Sequence, residues 1–291
     1  MKILLQLVSR NLKLYLRDRA AVFFSFLSVI IIILMYLLFL GKLHIRMAEN
    51  NAPNVEHIGW MVSAWIMAGL LTVSTVTVPL GVIGNLIDDR DKGILNDFYT
   101  SPINRNILAL SYLISAWVIG FIMVVLNLAV GQIYVLTMGG ELLSFISVIK
   151  IMLMILFSIM TFTSFFFYIA NFTRTRSAYG TLSTLVGTFV GFLGGIYIQI
   201  GNLSKNLQNV MNILPTSHSV SLMRRIYLEA PIEAVFGPNS SQDKTDYLNF
   251  NGVNIFIGNH ELSNVEMILG MFVFMLIFYT LSVLKLSKSK L

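Results

Sequence analysis

Six stretches without a single Asp, Glu, Lys or Arg dominate this chain: Ala20 to Gly41, Gly59 to Ile87, Asn106 to Gly140, Ile151 to Thr173, Ser177 to Ser204 and Met267 to Leu284. A helix that crosses a bilayer needs about 20 apolar residues, within a range of roughly 17 to 25, so each run is long enough to span hydrocarbon. The third must overhang and the last is near the lower limit. The rest of the composition agrees, since 56% of the 291 residues are apolar and 12% are charged, where a soluble domain carries about 25% charged residues. An ordinary water-exposed surface cannot be built from this material. The first run is longer than the h-region of a cleaved signal peptide, about 7 to 15 residues, and no small-x-small site follows it, so it is expected to stay as a signal anchor.

The basic residues give a direction. With both termini on one side, that side holds Lys2, Arg10, Lys13, Arg17, Arg19, Arg90, Lys92, Arg105, Arg174, Arg176, Lys285, Lys288 and Lys290, leaving seven of the 20 for the other. Positive charge near helix ends resists translocation, so both termini are expected in the cytoplasm. The expected organisation is one all-α transmembrane domain over 1–291. It comprises an amphipathic interfacial helix at 1–19, spans at about 20–41, 60–86, 107–138, 151–172, 178–201 and 267–284, a cytoplasmic loop at 88–105 and an outer region at 205–265. Within the outer region, Asn206 to Ala230 reads as helical with a break at Pro215, and Pro231 to His260 reads as loop or short hairpin. The net charge of +6 comes from scattered residues, which argues against nucleic acid. There are no cysteines, hence no disulfide and no thiolate site.

Two elements on the expected cytoplasmic side carry pattern. On a helical wheel Leu4, Leu5, Leu7, Val8, Leu12, Leu14, Tyr15 and Leu16 fall on one half and Lys2, Gln6, Ser9, Arg10, Lys13 and Arg17 on the other, the signature of an interfacial helix on membrane lipid. The loop DDRDKGILNDFYTSPINR, Asp88 to Arg105, has acidic residues where a helix start favours them and Pro102 where a helix stops. Ile94, Leu95 and Phe98 share one face, which would be covered by another polypeptide or by lipid headgroups.

Enzyme and carrier chemistry find little support. His44, His57, His218 and His260, with Glu56, Glu229, Glu233 and Glu261, show no metal-ligand spacing, and Ser217-His218 is a neighbouring pair without an orienting partner. No catalytic, cofactor or metal residue is assigned. Gly-x-x-x-x-Gly-Lys-Ser/Thr is absent, so a nucleotide motor must reside on a separate subunit. The uncharged runs lack the intramembrane ionisable groups that proton-coupled carriers use.

An amphipathic N-terminal helix, six spans, and an acidic-x-Gly loop that ends in Ser101-Pro102 resemble the permease subunit of type-2 ABC transporters over nearly the whole chain. In that family a Glu-containing element opens a coupling helix that docks on the ATPase; Asp91-Lys92-Gly93 occupies the place, with Asp for Glu. The resemblance implies coupling residues Asp91, Gly93, Ile94, Leu95, Phe98 and Tyr99. It also implies two cytoplasmic ATPase subunits that bind ATP and Mg, and a second permease copy. ILPTSHSVSLMRRIYL resembles the family's outer re-entrant region, with Pro215 and Arg224 as outer-gate residues, and Arg224 and Arg225 in reach of anionic headgroups or cargo.

If spans two and five line a central path, as the resemblance implies, Thr72 and Thr75 supply hydroxyls, and Phe189, Phe192 and Tyr197 supply aromatic surface, a mixture suited to amphipathic cargo. Gly187, Gly191 and Gly195, at four-residue spacing, are expected to let a helix approach closely. Pro79 is expected to kink span two. The implied function is export of a drug, antibiotic, toxin or lipid-like molecule from a bacterial plasma membrane. A lipid-linked polysaccharide or teichoic-acid-type exporter, and an ion-coupled carrier, stand as alternatives.

Overall fold

A computed structural model describes residues 2–35, 38, 57–237 and 241–288. The segment at 39–56, with His44 and Glu56, and the end of the first apolar run lie outside the described residues. In chain order the helices are α1 (Lys2–Arg17), α2 (Arg19–Met35), α3 (Ile58–Asp91), α4 (Ile94–Thr100), α5 (Arg105–Thr137), α6 (Phe145–Ala170) and α7 (Arg176–Leu193). Then come α8 (Lys205–Asn212), α9 (Pro215–Tyr227), α10 (Glu229–Phe236), α11 (Gln242–Phe250) and α12 (Asn264–Lys288), with a two-stranded antiparallel hairpin, β1 (Phe256–Ile257) and β2 (His260–Glu261), before α12.

Among the described residues, four helices are long and apolar enough to cross a membrane: α3, α5, α6 and α12. The first run forms α2, described as far as Met35. The fifth run is shorter than its composition suggested. Its helix ends at Leu193, because Gly194 and Gly195 reverse the chain: Gly195 has φ 61°, and the amide of Ile196 returns to the carbonyl of Gly191. Residues up to Ser204 are therefore a folded turn and not the end of a span.

The 34 residues of α3 make a rod of about 51 Å at 1.5 Å per residue, against a hydrocarbon core of about 30 Å. This helix is buried along nearly its whole length, packed by α5, α6 and α7 along its sides and by α9 near its start. Its hydroxyls cause no unsatisfied polarity, because Thr72, Ser74, Thr75 and Thr77 donate to the carbonyls of Ala68, Leu70, Thr72 and Val73. The helix is continuous through Pro79. The proline ring lies against Gly120 of α5, and the Tyr179 hydroxyl of α7 donates to the adjacent Leu80 carbonyl at 2.8 Å.

At the end of α3 nearest Ile58, called distal here, α9 inserts between α3, α6 and α12 with Pro215 at its first turn. Residues Ser217 to Arg224 are buried. The segment after it holds more helix than its Asn, Gly, Ser and Pro content indicated: α10 accepts Pro231 in its first turn and α11 is capped by Ser241, so only the 256–261 hairpin matches the loop-and-hairpin expectation. Arg224 is fully buried, donating to the carbonyls of Asn251, Gly252 and Gly195, with its guanidinium 4.4 Å from the Trp65 ring. It cannot touch a headgroup or a passing anion, which corrects that expectation. Arg225, half-buried, is taken up by the carbonyls of Val253 and Leu262 and by Asn264 and Glu261.

Removing a buried charge that satisfies several carbonyls costs about 3 kcal/mol. Arg224→Ala is expected to lower the thermal unfolding midpoint of the detergent-purified protein by roughly 5–10 °C, whereas the exposed Lys205→Ala leaves it unchanged. Equal midpoints for the two variants would remove Arg224 from the list of residues that hold the distal end together.

Candidate functional site

The opposite, basal end of the bundle is organised by the last turn of α3. Three consecutive side chains, Asp88, Asp89 and Arg90, each hold a different neighbour. Asp88 pairs with Arg176 at the start of α7, at 3.3 Å. Asp89, 4% exposed, receives both guanidinium nitrogens of Arg10 from α1 at 2.7 and 2.8 Å and the hydroxyl of Tyr112 from α5. Arg90 donates from one nitrogen to the carbonyls of Ala170 and Thr173 at the end of α6. Hydrogen bonding to Asp89 holds the Arg10 guanidinium above its already high range.

These carboxylates stand at the C-terminal end of a helix, where the partial negative charge of the macrodipole opposes them. The expectation that they begin a helix is corrected on this point: α3 runs on through Asp91, and it is α4 that starts afterwards. The opposition is met by Arg176 and Arg10, the first admitted because position 84 is glycine. A Cβ there would lie 2.4 Å from an Arg176 nitrogen.

Gly93 breaks the path between α3 and α4 with φ 75°, a left-handed conformation that side chains with a Cβ adopt at a cost. The seven residues of α4 follow, ended at Ser101 in extended backbone ahead of Pro102. Leu95 is buried, and Phe98 and Tyr99 are half-buried against the lower core formed by α3, α5 and α6. Arg10 lies 5.3 Å from the Phe98 ring and Arg105 5.0 Å from the Tyr99 ring. The apolar face of α4 is thus covered by its own chain, which corrects the expectation that another polypeptide or headgroups must cover it. Ile94 is half-buried, and what α4 leaves exposed is polar: Asn96, Asp97 and Thr100, next to exposed Asp91 and Lys92.

The remaining residues singled out from sequence scatter. Thr72 and Thr75 are sealed inside the chain, 1% and 0% exposed, and cannot line a path. Phe189 and Phe192 are exposed on α7, and Phe192 meets the half-buried Tyr197 edge-on at 5.0 Å. On the same helix Thr181, Thr184 and Thr188 are exposed, each hydroxyl donating to a carbonyl of its own helix. The three glycines do not form one packing stripe: a Cβ at Gly187 would meet nothing, one at Gly191 would strike Tyr197 at 2.3 Å, and Gly195 lies past the helix end. Pro215 starts the inserted α9, some distance along the chain from any residue of the basal knot.

Arg10, Tyr112 and Arg176 were not legible as site residues. Arg10 counts as one more charge on the polar half of α1. The signal beside it is Asn11, which shares the buried face with Leu7, Val8 and Tyr15 and donates to Ser111 of α5 at 3.4 Å. A polar residue amid an apolar arc indicates a partner inside the protein.

Because the chain has no cysteine, single thiols report on this knot cleanly. Val8→Cys, on the buried face of α1, is expected to resist maleimide. In the Asp89→Asn background it is expected to react severalfold faster, since Arg10 is left without its anion. The exchange Arg10→Asp with Asp89→Arg should restore part of the protection; unchanged labelling throughout would show that the pair does not hold α1 in place.

No curated protein gives a significant match to the sequence. A family model described as ABC-2 type transporter matches residues 3–228, a stretch that includes α1, the basal knot, α4 and α9. The match covers well over half of the chain, and the chain accordingly belongs to the ABC-2 type transporter family, as a multi-pass membrane component of an ABC transporter.

Proposed function

We propose that this chain is the permease subunit of an ABC exporter for hydrophobic or amphipathic molecules, a drug, antibiotic, toxin or lipid-like cargo. Two cytoplasmic ATPase subunits, which carry the ATP and Mg, drive it. The observation that carries this reading is α4. Among the described residues it is clamped to the end of the longest and most buried helix by its apolar face and presents a polar face outward, so a push on α4 would be delivered to α3. The excess of basic residues at the basal end supports a cytoplasmic basal end with both termini on that side, and in this reading α2 and α7 join the four long helices as six spans.

The contact with the ATPase is then made by Asp91, Lys92, Asn96, Asp97 and Thr100, while Leu95, Phe98 and Tyr99 hold α4 to its own chain. Gly93 sets the turn between the two helices. A second copy of the chain is brought in through α7, whose exposed surface mixes Phe189 and Phe192 with Thr181, Thr184 and Thr188. Two such surfaces facing each other enclose a path with aromatic and hydroxyl walls, which suits amphipathic cargo. Distal residues Pro215 and Arg224 hold the outer end as a rigid lid, Arg224 through backbone carbonyls and not through cargo.

Affinity purification from the native membrane is expected to recover a Walker-motif ATPase in near-equal amount. Asp97→Arg should reduce that recovery about tenfold without shifting the thermal midpoint, because an exposed charge reversal at a docking face acts on binding and hardly on folding. Recovery of the chain alone after mild extraction would refute the reading. Thr184→Cys should give an oxidised dimer band, and the buried Thr161→Cys none; the reverse pattern would place the second copy elsewhere. Stimulation of the ATPase by amphipathic drugs is the expected cargo signature, whereas stimulation only by a lipid-linked glycan would assign the polysaccharide branch.

A further inference from the structure

A cavity of about 290 Å³ opens at the basal end, between the end of α3, α4, the start of α5, the end of α6 and the last turns of α12. Four cations line it, Arg90, Arg105, Arg174 and Lys285, and among the described residues no carboxylate does. Of the acids beside Arg90 in sequence, Asp88 is matched by Arg176 and Asp89 by Arg10, and Asp91 is exposed outside the lining. For Arg90, Arg174 and Lys285 the contacts made leave the charge standing. Arg90 is held by neutral carbonyls, Arg105 and Lys285 lie over the rings of Tyr99 and Phe172, and Arg174 is close enough to Arg90 to repel it. The Asn171 side-chain nitrogen, also in the wall, is buried without an acceptor. Three such charges and a spare donor around one small volume make a receptor for a multivalent oxyanion.

A second feature says where that anion comes from. Lys285 sits 4.8 Å over the exposed Phe172 ring, and from there a ladder of aromatic contacts climbs between α6 and α12: Phe172 to Tyr168 at 5.1 Å, Tyr168 to Phe278 at 5.4 Å, and Phe278 to Phe274 at 4.6 Å. The ladder leads from the charged cavity into the span region, along α12, the least buried of the four long helices. A phosphate in the cavity attached to an acyl chain on the ladder satisfies both. A soluble anion or an acidic side chain of a partner protein would leave the ladder unused.

We infer that this cavity binds the phosphate headgroup of an anionic phospholipid, whose chain lies along the α6–α12 aromatic ladder. Leu95 and Tyr99 of α4 form part of the wall, so the bound lipid braces the short helix against α5, α6 and α12. Basic pockets of this kind on the cytoplasmic side of membrane proteins hold anionic headgroups.

The test is native mass spectrometry of the detergent-purified full chain with phosphatidylglycerol or phosphatidylcholine. Phosphatidylglycerol adducts are expected to survive activation preferentially. Arg174→Gln with Lys285→Gln should weaken that preference roughly thirtyfold, at the worth of two basic residues near an anionic headgroup, with the lipid-free thermal midpoint unchanged. Lys13→Gln with Arg17→Gln, on the polar face of α1, should not change it. Displacement by millimolar inorganic phosphate would show that the site takes the free anion and not the lipid. Equal adducts of the two lipids, or a preference that follows Lys13 and Arg17, would overturn the inference. Loss of ATPase recovery in the Arg174/Lys285 variant without any lipid preference would overturn it in favour of an acidic partner surface.

Discussion

Placing two carboxylates in the last turn of a long helix sets them against the negative end of the helix dipole, and much of the basal structure follows from how that is resolved. Asp88 and Asp89 are each matched by an arginine from a separate element, so the compensation also ties α7 and α1 to α3. Arg90 works the other way, bringing a cation to carbonyls at the end of α6. Three neighbouring side chains thereby define the position of three elements around one axis. A helix of lesser length would leave them within the hydrocarbon, where such pairs are costly to bury; the overhang of α3 carries them to the membrane boundary.

The same device recurs at the distal end. Arg224 is buried against the carbonyls of Gly195, Asn251 and Gly252, which belong to two chain reversals, as Arg90 is held at the reversal after α6. Turns inside a membrane protein leave carbonyls that neither a helix nor water satisfies, and a planar cation with several donors can serve more than one of them. Both arginines occur in a chain whose apolar runs hold no charge. Their burial is explained by the backbone they satisfy and not by cargo.

The four long apolar helices were legible because absence of charge over about 20 residues is a coarse, one-dimensional signal that depends on no tertiary partner. The five apolar runs after the first correspond to α3, α5, α6, α7 and α12, with the largest error at the Gly194–Gly195 turn, where a local reversal replaced an expected helix end. The stop of α4 was legible from a local signal of another kind, since Pro102 restricts the residue before it, whereas the acidic residues read as a helix start end α3 instead. What could not be read was which side of each element meets the rest of the chain. Leu95, Phe98 and Tyr99 form an apolar face that sequence leaves without a home, and the home is a core assembled from α3, α5 and α6. Thr72 and Thr75 looked available because hydroxyls stand out in an apolar run, yet a helix at the centre of a bundle has no free side. Gly187, Gly191 and Gly195 share a spacing and not a role, since the helix that would have aligned them stops at Leu193.

The orientation of α4 bears on how a force would pass through it. An apolar face turned outward would be a sticky and unselective contact, and the helix could roll on its own chain when loaded. With Leu95 buried, Phe98 and Tyr99 packed, and Arg10 over the Phe98 ring, rolling α4 would expose apolar surface and disturb the partner of Asp89 in one motion. The element is therefore stiff toward its own bundle and polar toward the outside. A load on Asn96 or Asp97 would reach Asp89 and α1 through Phe98 and Arg10, so displacing α4 and tilting α3 would be one mechanical event and not two that must be coordinated.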